Sequence, residues 1–252
     1  MSAPHRWLGG VLAALAVALL ATAASAVVPE PEKIARAISQ ANAVSGRAEP
    51  LIFEVRLRID GGEVSAEGEL AVHPSGLARL ELRNRWGFVE RHLLQSNEYQ
   101  ASRDGEILTD PHPFLPPLFL LQTRSGEALS AALASFGVAE QQVVLGRLGT
   151  HDCYVLGGRL LGRFPEEDHL LPSLWVDMVS FDPVRIVRSD GVEYRLGPIR
   201  VYGGIRFPSW IDIQTPRGLR ARLEIGSVSE AEAPAALFQP SWLTSSANAS
   251  LE

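Results

Sequence analysis

Leu51-Ile52-Phe53-Glu54-Val55-Arg56-Leu57-Arg58-Ile59 runs into Asp60-Gly61-Gly62-Glu63 and returns as Val64-Ser65-Ala66-Glu67-Gly68-Glu69-Leu70-Ala71-Val72. In the first run Phe53, Val55, Leu57 and Ile59 alternate with Glu54, Arg56, Arg58 and Asp60. In the second, Val64, Ala66, Gly68, Leu70 and Val72 alternate with Glu63, Ser65, Glu67, Glu69 and His73. A period of two sends successive side chains to opposite faces of a strand, and a glycine pair between two such runs is a hairpin turn. The stretch therefore predicts two antiparallel strands, each with one apolar and one water-facing side.

The same grammar extends in both directions. Pro74-Ser75-Gly76 leads to a strand carrying Ala78, Leu80 and Leu82, and further strands are expected around 88–95, 99–102 and 106–109. In the last third, strands at 174–181, 184–188, 192–201, 206–214 and 219–225 are separated by Asp182-Pro183, Asp190-Gly191, Gly203-Gly204 and Pro216-Arg217-Gly218. Two more are predicted at 142–148 and 153–156, with a charged excursion over 159–171. Helical spacing is confined to two places. One starts at Pro31, carries Ile34, Ile38 and Ala41, and stops at Ser45-Gly46. The other has Ser125 as N-cap and Leu129, Leu133 and Phe136 before Gly137. A helical turn is expected at 234–238, and a flexible tail over 244–252.

One segment fits neither period. Asp110-Pro111-His112-Pro113-Phe114-Leu115-Pro116-Pro117-Leu118-Phe119-Leu120-Leu121 is strongly apolar, yet its prolines exclude a central strand. It is either a lid over an apolar opening or a buried crossover.

The first residues form a leader pattern: Arg6 as a positive start, an Ala/Leu/Val core from Leu8 to Leu20, and Ala24-Ser25-Ala26 as a small-residue cleavage site. We expect residues 1–26 to be a cleaved signal peptide and residues 27–243 a single domain in the periplasm. An uncleaved anchor is the alternative. No cysteine stands near the cut to take a lipid. The 252-residue chain carries a net charge of −6 and only one lysine, Lys33. Without a basic run it has no electrostatic footprint for nucleic acid and no patch for an anionic membrane surface. Cys153 is the single cysteine, so no internal disulfide forms; next to Tyr154 and Val155 it reads as a small buried side chain.

About a dozen strands with one apolar face each must bury those faces. A two-sheet sandwich does so by packing two layers. An unclosed barrel does so around a hollow, which more than about eight strands leave too wide for side chains to fill. The alanine-rich helices offer little stuffing, and an apolar concavity is by default a ligand site.

Chemistry is hard to assemble. Neighbours in His151-Asp152-Cys153 point to opposite faces, and Glu166, Glu167, Asp168 and His169 lack ligand spacing, so no metal is expected. Ser173 and Ser209 lie outside any strained Gly-flanked elbow, and Cys153 with His151 has no third group to orient it. We expect no catalytic residue, no cofactor and no enzyme.

The succession Gly68-Glu69-Leu70-Ala71-Val72, Leu80-Glu81-Leu82, Leu174-Trp175-Val176-Asp177, Pro183-Val184-Arg185-Ile186, Phe207-Pro208, Leu223-Glu224-Ile225 and Ala236-Leu237-Phe238 resembles the periplasmic lipoprotein-carrier family of the LolA/LolB type. The resemblance implies a mainly β fold, an unclosed antiparallel β-barrel with short helices forming a lid. It also implies a cavity for lipid or for the acyl chains of lipoproteins. Lining residues would be Phe53, Val55, Leu57, Leu70, Val72, Leu80 and Leu82 from the sheet, with Leu115, Leu118, Phe119 and Leu121 from the lid. The family places a basic residue before a proline to hold its lid; Val72-His73-Pro74 stands here, making His73 the candidate lid contact. The family's early aromatic-x-Gln is replaced by Phe53-Glu54-Val55, which marks a divergent member. Implied partners are an acylated cargo, an inner-membrane donor and an outer-membrane acceptor, with the carrier a monomer. The alternative use of the same fold is a regulatory or assembly module that binds a protein partner.

Overall fold

The hairpin that opens the sheet forms because Asp60 (φ 53°) and Gly61 (φ 70°) both take left-handed backbone, the geometry a tight right-twisted turn demands. In the computed structural model, residues 28–44, 51–73, 76–95, 98–138, 143–157, 172–202, 205–230 and 238–245 are described. The leader expected over 1–26 and the acidic loop at 166–169 lie outside them.

The strands are β1 (Leu51–Ile59), β2 (Val64–Val72), β3 (Ala78–Asn84), β4 (Val89–Gln95), β5 (Glu98–Arg103), β6 (Glu106–Ile107), β7 (Val143–Leu148), β8 (His151–Gly157), β9 (Ser173–Asp177), β10 (Pro183–Val187), β11 (Glu193–Leu196), β12 (Ile199–Tyr202), β13 (Ile205–Pro208), β14 (Trp210–Gln214) and β15 (Arg220–Glu230). Thirteen of them form one sheet in the order β6-β5-β4-β3-β2-β1-β15-β14-β11-β10-β9-β8-β7. Every pairing is antiparallel, and the end strands β6 and β7 do not pair with each other. The unclosed barrel is the architecture adopted; the two-layer sandwich is not.

The strands expected at 192–201 and 206–214 are each interrupted, at Gly197-Pro198 and at Ser209, yet the bonds from Gly197 N–H to the Trp210 carbonyl (2.8 Å) and from Ser209 N–H to the Pro198 carbonyl (3.0 Å) keep one register across the interruption. Pro198 has no N–H to donate. A Cβ on Gly197 would come within 2.6 Å of the Trp210 indole, so only glycine admits that ring. Past this interruption, β12 and β13 pair only with each other as a separate two-stranded sheet. Phe207 of this hairpin is buried, its ring stacked 4.5 Å from that of Phe53, while Tyr202 meets Phe53 edge-on at 5.6 Å. The hairpin covers one end of the concave face.

Helix α1 (Pro31–Val44), the short α2 (Phe119–Gln122) and α3 (Gly126–Ser135) lie on the concave side. Ser125 caps α3 as expected, its Oγ accepting from the Ala128 N–H at 3.3 Å. Gly126 brings α3 onto α1: a Cβ there would stand 3.2 Å from the Cα of Arg36. Small residues thus serve close approach. Ile34, Ile38, Leu129 and Leu133 from the helices join Phe53, Leu70, Leu80, Leu174, Tyr194 and Leu223 from the sheet in one buried cluster.

The convex face is wet and cross-linked by ion pairs between neighbouring strands, such as Arg58–Glu224 at 2.9 Å and Arg222–Asp212 at 2.5 Å. One part of it is covered. Phe238 and Leu243 of the C-terminal segment, which includes α4 (Ser241–Thr244), bury Ile52, Ala71 and Leu93. Arg91 donates to the carbonyls of Trp242 (2.9 Å) and Ser245 (2.6 Å), and Ser102 to that of Leu243 (2.6 Å). Thr244 and Ser245 are thus part of the described C-terminal segment.

Candidate functional site

Register decides which side chains reach the concave face. Leu57 pairs with Ala66, Ala66 with Asn84, Leu82 with Glu90, and Glu90 with Arg103, which places all six on one side of β1 to β5. Toward the β1–β2 turn, this face borders an open cavity of about 390 Å³. That volume falls within the range of small-molecule sites, about 300–1,000 Å³. Its floor is Leu57, Ile59, Ala66 and Leu82; Phe114 and His112 of the proline-rich segment form its roof; Trp86 and Phe88 stand at its rim, 68% and 54% exposed. A groove of about 1,090 Å³ exists on the convex side, but Glu54, Arg56, Glu67, Glu69, Glu81 and Arg83 make it a charged surface trough.

The proline-rich segment crosses the concave side as a strap. Phe114, Leu115, Leu118, Leu120 and Leu121 are buried in the main cluster, so the strap faces the sheet with its apolar side. Its backbone carbonyls, which proline leaves without a ladder, are satisfied from the scaffold. Tyr99 donates to the His112 carbonyl (2.5 Å), Tyr194 to that of Pro113 (3.0 Å), and Asn42 to those of Leu120 (2.9 Å) and Thr123 (3.0 Å). Arg217 pairs with Asp110 at its start. Burial pushes the phenol of Tyr194 up to about 12, so it stays a hydroxyl donor.

Between strap and sheet lies a polar network. Glu90 Oε2 accepts from Arg103 at 2.9 Å, and its Oε1 lies 3.3 Å from His112 Nδ1 and 3.2 Å from His92 Nε2. His92 is fully buried, with Nδ1 2.7 Å from the Tyr99 hydroxyl; its Nε2 faces Glu90 outside hydrogen-bonding angle. Burial works to raise the Glu90 carboxyl, yet the hydrogen bonds from His112 and Arg103 hold it well below the usual carboxylate range. Burial pushes His92 down, toward the neutral ring. The hydrogen bond to Glu90 raises His112 despite partial burial.

The expected lining residues come together. Phe53, Val55, Leu57, Leu70, Val72, Leu80, Leu82, Leu115, Leu118 and Leu121 all belong to the one buried cluster. Within it, Leu57 and Leu82 border the cavity; the helices and strap cover the rest. Phe119 sits in α2, and its side chain lies outside the described residues. His73 packs its ring edge-on against Phe238, 5.8 Å away, in the segment on the convex face. Glu90, His92, Tyr99, Arg103 and Tyr194 were not anticipated as site residues.

No group of three or more His, Cys, Asp or Glu that could hold a metal ion occurs among the described residues. Cys153 is buried, its thiol pushed up to about 11 by burial and the nearby Asp177, while the His151 ring turns to Asp177 at 2.9 Å. No helix among the described residues is long and apolar enough to cross a membrane.

No protein-family model matches the chain, and no curated sequence does. Solved structures do. A domain described as an outer membrane lipoprotein-sorting protein from Vibrio parahaemolyticus aligns over 86% of this chain and 100% of its own length, with a TM-score of 0.55 at 10% identity. The fold is that of the lipoprotein-sorting proteins. A DUF1329 family protein from Desulfovibrio piger aligns over 85% of this chain and all of its own, with a TM-score of 0.51 at 10% identity. At such identity the likeness to the lipoprotein-sorting fold is one of backbone architecture, as the succession of short motifs implied.

Proposed function

We propose that the chain is a non-enzymatic periplasmic carrier that shelters lipid, or the acyl chains of a lipoprotein, in the hollow of its sheet between envelope membranes. The observation that carries this reading is the apolar cavity beneath the Phe114 end of the strap, continuous with a core built from the same sheet face. Burying an acyl chain is worth about 0.8 kcal/mol per methylene, nearly what a bilayer supplies. A carrier of this kind needs only to match the membrane and exclude water, so an inner-membrane donor and an outer-membrane acceptor set the direction. No bond is made or broken. The strap, latched by hydrogen bonds rather than by a ladder, is the element that would lift to extend the cavity over Leu70 and Leu80.

The test uses a cavity-filling variant. Leu80 and Leu118 are fully buried, so a charge at either would unfold the chain rather than report on binding. Ala66→Trp places a strand-favouring ring in the cavity instead. Gently extracted protein should carry a co-purifying amphiphile in native mass spectrometry, and Ala66→Trp should lose it with an unchanged melting temperature. Lipid retained at wild-type level in that variant would reject the cavity as the site.

A further inference from the structure

Apolar walls explain how a chain is held, but the cavity also has a charged side, and its unspent hydrogen-bonding capacity has one sign. Both oxygens of Glu90 are engaged, one by Arg103 Nη2 and the other by His112 Nδ1. Asn84 Oδ1 accepts from the backbone N–H groups of Trp86 and Phe88, each at 3.0 Å, which fixes its amide and leaves the NH₂ as its remaining group. The half-exposed Arg103 makes its one hydrogen bond among the described residues to Glu90, so further guanidinium N–H groups stay available. His112, with Nδ1 on Glu90 and its pKa raised, presents Nε2–H as a donor in the imidazolium form. Asp110, the acid nearest in the strap, is occupied by Arg217. Among the described residues that line it, the mouth thus offers donors and no free acceptor carboxylate.

We propose that this mouth binds an anionic headgroup, so that the favoured ligand is an acyl chain bearing a carboxylate or a phosphate, gripped by Arg103, His112 and Asn84. The inference rests on the carrier reading and narrows it. A cationic or neutral head would find Glu90 already satisfied and would leave the remaining guanidinium N–H groups to water. An anionic head completes the bidentate or bridging contacts that guanidinium favours. Glu90 engages Arg103 and His112 and competes with the ligand for the guanidinium, so it tempers the preference for an anion.

The experiment measures dissociation constants of the purified protein for lauryl alcohol, laurate, lauryl phosphate and lauryl-trimethylammonium at neutral pH and low salt. Laurate or lauryl phosphate should bind on the order of tenfold more tightly than the alcohol, the effect of one charge-assisted hydrogen bond. The larger of the two preferences distinguishes a fatty-acid source from a phospholipid source. In Arg103→Gln the anionic-over-neutral ratio should fall to about one, Arg103→Lys should restore part of it, and Glu90→Gln should increase it by freeing the guanidinium. A ratio that survives in Arg103→Gln, or equal affinity for laurate and lauryl alcohol, would overturn the headgroup assignment while leaving the carrier reading intact. Failure of all four probes to bind would overturn both.

Discussion

Single residues mark where backbone and side chains are held most tightly. Gly68 lies in β2 where a Cβ would stand 1.8 Å from the Glu81 carbonyl oxygen, so the two strands touch backbone to backbone. Gly68→Ala should cost about 3 kcal/mol in a denaturant titration, because neither strand can yield without breaking its ladder. Cys153 gives a second expectation. Fully buried and with its thiol pushed up to about 11, it should resist maleimide or disulfide exchange in the native state and react promptly in denaturant. Its inertness was legible from the apolar Tyr154 and Val155 beside it. The role of Gly68 was not, because it fills an apolar position of the alternation and only the register reveals what lies opposite. Glu90 and His92 were hidden for a related reason. In β4 the inward set is Glu90, His92 and Leu94 and the outward set Val89, Arg91 and Leu93, so polarity is split between faces and gives no direction.

At the scale of elements, the strap shows how a sequence that defeats secondary structure still acquires a place. Its apolarity and prolines were legible; its latches were not, since Tyr99 and Tyr194 meet it only through the topology. Each hydroxyl-to-carbonyl bond is worth about 1 kcal/mol. The double variant Tyr99→Phe, Tyr194→Phe should raise hydrogen exchange at Leu118, Leu120 and Leu121 roughly tenfold or more while β1 and β15 stay protected. The His112–Glu90 contact adds a pH term. Because Glu90 raises His112, the contribution is fully present below the ordinary histidine value of about 6.5 and is lost as pH rises through the raised native value. The stability gap between wild type and His112→Gln should be widest near about pH 6 and close under alkaline conditions. It should stay below about 1 kcal/mol, since the imidazole is nearly half exposed and water screens it. In the hairpin that ends in β12 and β13 the alternation foresaw the pairing but not its interruption. Across Gly197-Pro198 the apolar positions slip from Val192, Tyr194 and Leu196 to Ile199 and Val201, which puts Val201 on the exposed face; that slip and the missing N–H of proline are the signals of the interruption.

For the whole molecule, strand number and the antiparallel order followed from turn residues between alternating runs, and the choice between sandwich and open barrel depended on what lies inside. The alanine-rich helices turned out to fill most of the concave face by packing closely, with Gly126 against Arg36, so the hollow is reduced to one end. The hairpin carrying Phe207 sits over the other end, stacked on Phe53. Among the described residues the cavity therefore opens at one end, with the Phe207 hairpin over the other. Under the carrier proposal a guest would thread in tail first and back out by the door it used, so a recipient could not draw it through from behind. Any exchange would require donor and recipient to visit the same rim, around Trp86 and Phe88, one after the other.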